Sequence, residues 1–358
     1  MTLGWSAVRE VAVVSSAVHQ VEALTFTPDV QLMVPLVNAA REAVGITQDD
    51  VDFTCSGSSD FLAGQAFSFV QTLDAVGAVP PISESHVEMD GAFALYEAWV
   101  KIQTGEAEVA LVYSYGKSSP GSRRDVLAAQ LDPYVVGPLW PDAHAVAALQ
   151  ARVVLESGAA TPEDLAAVAA RSQRKAVGNP NALRASADAT VDGVLAEPVV
   201  TDPLRPSDLA AEADGGCAMV LAAGDRARAL CERPAWITGI DHRIDPQALG
   251  LRDLARAPSA AMAAERAGAA GDRIDVAELH VASTAQAIVL SGELGLTDDV
   301  EVDPSGGSLA GDVLMAAGLV RIAEVARRIS SGTADRGLAH ASSGPCLQQN
   351  LVCIMEGE

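Results

Sequence analysis

The 358-residue chain is short of several residue types, and each shortage excludes something. Lysine occurs only at 101, 117 and 175, which leaves few candidates for Schiff-base chemistry. Lys and Arg together number 24 against 47 acidic residues. The resulting net charge of −23 argues against non-specific binding to nucleic acid or to an anionic membrane. Aromatic residues make up 4% of the chain, so the core must be aliphatic, built from Ala, Val, Leu and Ile. No stretch approaches ~18 consecutive apolar residues, and the N-terminus lacks a basic segment leading into a long apolar one. A protein without transmembrane helices, resident in the cytoplasm, is expected. Cysteine is found at 55, 217, 231, 346 and 353, an odd count with no CxxC pair. That fits reduced thiols, not a disulfide framework or a zinc site. The six histidines show no metal-ligand spacing.

What is present is an alternation of strand-like and helix-like stretches. VAVVSSAV (11–18), EVALVYSYG (108–116) and GCAMVLAA (216–223) read as buried strands, and VDFTCSGSS (51–59) as a strand running into small residues. Helices are predicted over 29–45, 61–77, 162–174 and 259–270, and between the Asp90-Gly91 turn and Gly105. Residues 121–150 read as irregular, within an insertion spanning 117–205. Beyond Arg233-Pro234 the plan restarts. VAELHVAST stands where VDFTCSGSS stands, and VEVDPSGG–helix–SGT–RGLAHASSG where HVEMDG–helix–TG–EVALVYSYG stands. A repeat of a whole half predicts two α/β halves, 1–232 and 233–358, with mainly parallel strands related by a pseudo-twofold. The site is expected where the strand-to-helix loops of both halves converge.

Read with its loops, this pattern resembles the thiolase superfamily, and within it the sterol-carrier-protein-x thiolases and bacterial lipid-transfer-protein thiolases. The resemblance covers essentially the whole chain. VDPSGGSLAGDVLMAAGLVRIAEVARRI is similar to that branch's NPSGG…G…P…G-x-x-R segment, DVAELHVAS to its ELHDCF, PLRPSDLAAEADGGCAMVLAA to its DPLR-x-x-D…DGAAA, and NPNAL (179–183) to a further segment. The resemblance implies a duplicated, five-layered αβαβα fold with two mixed sheets. It also implies a homodimer or a heterodimer with a thiolase-like chain, and acyl-CoA substrates. Coenzyme A would enter as part of the substrate, with no tightly bound cofactor. A small OB-fold acyl-CoA-binding partner is a further implication.

The branch's nucleophilic cysteine is missing. Anchored on Gly91, its place falls to Glu88, or to Met89 or Asp90 if the register slips. Asp312 replaces the histidine of the GHP loop, His280 stands where the HDCF histidine stands, and Cys346 falls close to the second cysteine. Thiolysis needs a thiolate to take up the acyl group, and an acyl anhydride on Glu88 would be labile, so normal thiolase activity is not expected. Retro-aldol cleavage of a β-hydroxyacyl-CoA, which members of this branch perform on steroid side chains, needs only a base and donors for a developing enolate. His280 is the oxyanion donor candidate, with a water or a backbone N–H of the 305–311 loop. Glu88 and Asp312 are base candidates, with Tyr113 and Tyr115 behind them. Ser305, Gly306 and Gly307 are candidates for a loop holding the thioester. Each also has a structural reading: Glu88 and Asp312 as acids at helix starts, Cys346 as an inert buried thiol, and the glycine-rich loop as a tight turn. Arg123, Arg124, Arg171 and Arg174 are candidates for phosphate contacts. The competing functional readings are a non-catalytic acyl-CoA-binding or scaffolding subunit and, behind it, a β-ketothiolase.

Overall fold

The computed structural model describes residues 9–64, 66–77 and 82–358. Its strands are β1 (Val11–Val21), β2 (Phe53–Gly57), β3 (Glu84–Val87), β4 (Val109–Gly116), β5 (Glu212–Ala223), β6 (Ala235–Ile244), β7 (Val276–Glu278), β8 (Glu301–Val302), β9 (Asp312–Val313), β10 (Arg336–Ser343) and β11 (Gln349–Glu356). They hydrogen-bond in the order β3-β2-β4-β5-β1-β6-β11-β10-β7-β8, with β9 beside β5. From the centre outward the first half runs β1-β5-β4-β2-β3 and the second β6-β11-β10-β7-β8, so each strand has a counterpart. Along this order Ala12↔Trp236 and Val13↔Ala235 join the halves, so the two expected sheets form one continuous sheet, and β9 pairs with β5 across the halves at Glu212↔Asp312 and Ala213↔Val313.

The strands are less uniformly parallel than predicted. In each half the two outer pairings are parallel and the two inner ones antiparallel. β11 follows β10 through a hairpin, and a short hairpin can only join antiparallel strands.

Period-2 alternation divides the apolar residues between the two faces of each half. On β5, Cys217, Met219 and Leu221 face the central layer, while Ala218, Val220 and Ala222 face outward. On β11, Leu351, Cys353 and Met355 face the centre, and Val352 and Ile354 face outward. The helices Gly91–Gln103 and Ala317–Ser330 fill that central layer between the two halves of the sheet. Helix Asp29–Glu42 covers the outer face of the first half. Helices Pro258–Arg266 and Thr284–Glu293 cover that of the second. The outcome is five layers, αβαβα, with an aliphatic core as the composition required.

Two local expectations are corrected. The helix expected over 61–77 is instead a short turn of helix, Asp60–Ala63, and a 3-10 stretch, Ser68–Val76; residue 65 lies outside the described residues. The Asp60 carboxylate accepts the N–H groups of Phe67 (2.8 Å) and Ser68 (2.9 Å), a local bond that competes with helix continuation. Residues 121–150, expected to be irregular, contain helix Arg123–Ala129 and the start of helix Ala143–Glu156, capped by the side chains of Ser122 and Asp142. The prolines at 133, 138 and 141 lie between these helices, not inside them. Among the described residues no helix is long and apolar enough to cross a membrane.

Candidate functional site

A cavity of about 550 Å³ opens where the N-termini of the two central helices meet. Glu88, Met89 and Asp90 line it from the first half, and His280, Asp312 and the 342–346 loop from the second. Leu127, Leu131, Val146 and their neighbours, between β4 and β5, complete an apolar wall.

Asp90 forms the floor. It is the N-cap of helix Gly91–Gln103, accepting from the N–H of Ala92 at 2.9 Å. The same carboxylate accepts from Gly318 (2.9 Å) and Leu319 (3.0 Å) at the start of the other central helix. One buried acid therefore caps two helices from opposite halves, an arrangement a Cβ at position 318 would obstruct, since it would lie 2.5 Å from Asp90 Oδ1. Burial pushes the Asp90 carboxyl up, against the pull of His280 and of those N–H groups.

Glu88 lies two residues before that cap and lines the cavity with its side chain 46% exposed. Its Oε1 accepts from the Asp60 N–H at 2.6 Å, and Oε2 lies 3.4 Å from His86 Nε2.

His280 follows the end of β7. The Ser342 N–H donates to its Nδ1 at 3.2 Å, which places the ring proton on Nε2. That nitrogen stands 3.5 Å from Asp312 Oδ1, an oxygen with no other partner. Asp312 begins β9, and its Oδ2 is gripped by Arg123, which also donates to the Asp312 carbonyl at 3.1 Å. Burial raises the Asp312 carboxyl, but Arg123 and His280 more than reverse this and hold it well below the usual carboxylate range. Asp312 is consequently an anion that orients and stabilises His280, with too little proton affinity to serve well as a base.

Cys346 lines the cavity with Sγ 3.7 Å from the Val146 carbonyl, and burial pushes its thiol up to about 12. A thiol so poorly ionised is neither nucleophile nor base at neutral pH.

The structure brings Glu88, His280, Asp312 and Cys346 to one cavity and leaves Ser305, Gly306 and Gly307 out of its lining. Ser305 is buried against Glu278, its N–H donating to Oε1 (2.9 Å) and its hydroxyl to Oε2 (2.7 Å), and Arg321 donates to both residues. The N–H groups of Ser305, Gly306, Gly307 and Gly311 are bonded within this network or loop, so they are not free for an oxyanion. Gly306, at φ +96, packs so tightly that a Cβ would lie 2.6 Å from Ala176. The glycine-rich segment braces the loop carrying His280. Tyr113 and Tyr115 are buried in the outer core of the first half, away from the cavity. Of the arginines considered for phosphate, Arg123 and Arg124 are ion-paired with Asp312 and Asp142, and Arg174 donates to the Ala189 carbonyl. The five cysteines are free, and no metal-binding cluster is found among the described residues.

Sequence reasoning missed the role of Arg123 at Asp312 and the second helix capped by Asp90. The first pairs residues 189 positions apart, and the second residues 228 and 229 apart. The Asp-Gly pair before a helix signalled only the local cap.

No family model matches the chain. It is 28% identical over 221 residues to an acetyl-CoA acetyltransferase of Methanothermobacter thermautotrophicus, a match covering 55% of this chain and 57% of that protein. It is 35% identical over 100 residues to the 3-oxoadipyl-CoA/3-oxo-5,6-dehydrosuberyl-CoA thiolase of Escherichia coli, covering 27% and 24%. The chain thus spans little more than half the length of the first relative and a quarter of the second. Among solved structures, human mitochondrial 3-ketoacyl-CoA thiolase superposes with a TM-score of 0.80 at 18% identity, covering 98% of this chain and 99% of that one. An Ltp2-ChsH2(DUF35) aldolase superposes with a TM-score of 0.78 at 21% identity, again covering 98% and 99%. The chain has the thiolase fold.

Proposed function

We propose that the protein is an acyl-CoA carbon–carbon lyase of retro-aldol type, acting on a bulky β-hydroxyacyl-CoA derived from a sterol side chain, with no acyl-cysteine intermediate. The observation that carries this reading is the cavity's set of functional groups. It offers a histidine N–H and a carboxylate, and its one thiol is held un-ionised. In the proposed reaction Glu88 takes the β-hydroxyl proton as the Cα–Cβ bond breaks. The hydroxyl carbon leaves as a carbonyl compound, and the bond's electron pair passes into the thioester as an enolate. His280 Nε2–H, held through Ser342 and only loosely shared with Asp312 Oδ1 at 3.5 Å, turns to the enolate oxygen, and the proton taken up by Glu88 passes to Cα, which gives the shortened acyl-CoA and restores the Glu88 carboxylate. The apolar wall suits a large acyl group.

Coenzyme A enters as part of the substrate, with no tightly bound cofactor. We further propose that the working form is a dimer with a second thiolase-like chain, identical or different, assisted by an OB-fold acyl-CoA-binding partner. Among the described residues the one guanidinium lining the cavity, Arg123, is already paired with Asp312, which favours phosphate contacts supplied from outside the cavity. The structural neighbour that is an Ltp2-ChsH2(DUF35) aldolase is consistent with such a pairing.

The test is incubation with β-hydroxyacyl-CoA and β-ketoacyl-CoA panels, with and without co-expressed partners, followed by mass spectrometry. Release of a shortened acyl-CoA and a carbonyl compound without added free CoA is expected. Cleavage of only the keto thioesters, with free CoA consumed and acyl label on a cysteine, would establish a thiolase instead. No cleavage under any pairing would leave the non-catalytic, acyl-CoA-binding subunit.

A further inference from the structure

Glu88 poses a positional problem. A half-exposed glutamate has several free torsions and no intrinsic reason to stay in one orientation, yet both of its oxygens are engaged, Oε1 by the Asp60 N–H and Oε2 by His86. His86 does not line the cavity, and it is itself held on two sides. Its ring stacks on Phe69, with centroids 4.5 Å apart and planes 13° from parallel. Its Nδ1 lies 3.1 Å from the hydroxyl of Ser56, its registered partner across β2 and β3, and Ser56 is fully buried. The tautomer follows from these contacts. Oε2 of a carboxylate requires a donor, so Nε2 carries a proton, and in the neutral ring Nδ1 then accepts from the Ser56 hydroxyl. The charged groups facing the ring are Glu84 on its own strand, Glu88 just past that strand's end and Asp60 at the start of the helical turn Asp60–Ala63, with Glu97 behind Glu84.

We infer that His86 is a positioning residue for Glu88: clamped by Phe69 and Ser56, it fixes the Glu88 carboxylate at the cavity mouth in the orientation that can receive a substrate proton. This deepens the lyase reading and rests on it for its catalytic meaning, while the pairing itself stands on geometry alone. Ser56 is buried and has no access to substrate, so the Ser56–His86–Glu88 chain is not a nucleophilic triad.

The experiment has two arms. In the first, the ring signals of His86 are compared by NMR at one neutral pH in the full chain and in Glu88→Gln. Loss of the facing carboxylate is expected to move the His86 Nε2–H proton and nitrogen signals, which report its hydrogen bond. Unchanged ring signals overturn the pairing whatever the protein catalyses. In the second, His86→Leu and His86→Gln are assayed on the β-hydroxyacyl-CoA the wild type cleaves. Without the donor the Glu88 carboxylate loses its fixed orientation, so His86→Leu is expected to lower kcat about tenfold with KM little changed. His86→Gln, whose amide can donate to Glu88, restores most of the rate. If kcat of His86→Leu matches wild type and only its thermal midpoint falls, the positioning role is refuted. If the wild type cleaves nothing, the lyase reading fails and the first arm still decides the pairing.

Discussion

Arg123→Met isolates the buried ion pair beneath His280. Arg123 has 10% of its side chain exposed and Asp312 1%, so the pair is almost fully withdrawn from water. Removing the cation leaves a buried carboxylate whose Oδ1 already has only His280 at 3.5 Å. Breaking such a pair costs roughly 3–5 kcal/mol, and partial relaxation toward solvent places the expectation near ~3 kcal/mol at neutral pH. The sign with pH follows from the depressed folded-state carboxyl. In the wild type the Asp312 contribution is fully present above the unfolded value of about 4 and disappears only as pH falls through the lower folded value. Without Arg123, burial dominates and the folded carboxyl rises above its unfolded value. The variant's deficit must then shrink as acid protonates Asp312, by up to about 1.4 kcal/mol per pH unit. Urea unfolding at pH 7.5 and at pH 4.5 reads this difference. Arg124→Met is the internal control: its partner Asp142 is 27% exposed and Arg124 42%, so its loss is expected to cost no more than about 1 kcal/mol. Equal deficits for the two variants, or a deficit for Arg123→Met that does not change between the two pH values, would refute the assignment of a buried, functional ion pair.

Two further perturbations address the floor and the oxyanion donor. Asp90→Ala strands three buried N–H groups and is expected to destabilise the fold by about 3 kcal/mol or more, measured by chemical denaturation. Asp90→Asn keeps the Oδ1 shared by Ala92 and Leu319 and should cost about half as much. His280→Ala is expected to lower kcat for hydroxy-thioester cleavage by roughly 100-fold with KM little changed, and an unaltered rate would remove it from the mechanism.

The duplication was legible because corresponding strings recur in the same order in both halves, and strand order follows that repeat down to its antiparallel inner pairs. Glu88, His280 and Asp312 came to notice through the motifs of the resembled superfamily in which each stands, and the structure lines one cavity with them. What did not show was how they are held. Arg123 comes from a segment that reads as irregular, and nothing in its local pattern points to an acid 189 residues away. The Ser305-Gly306-Gly307 string was visible but pointed elsewhere. Small residues are needed both where a ligand approaches a backbone and where a helix does, and here the neighbour is Ala176. Likewise Glu278 and Arg321 lie on a strand end and a helix, 43 positions apart, so only the tertiary structure reveals that they form one buried cluster with Ser305.

The double cap also bears on how a thiol placed at position 88 would behave. A helix N-terminus lowers a nearby cysteine's pKa through its unpaired N–H groups and its dipole. At this site those groups are already engaged. The N–H of Gly91 donates to the Met315 carbonyl, those of Ala92, Gly318 and Leu319 to the Asp90 carboxylate, and that of Phe93 to the Asp90 carbonyl. Asp90 places a carboxylate where the field of two helices would otherwise act on a thiolate, and it lies two residues from position 88. A thiol introduced by Glu88→Cys should therefore show a pKa at or above the ordinary value of about 8.5, and thiolase activity should not appear. The rate of alkylation by iodoacetamide against pH, followed at that residue by peptide mass spectrometry, measures this directly. A midpoint below about 7 would mean that the helix N-termini still act on position 88 despite Asp90.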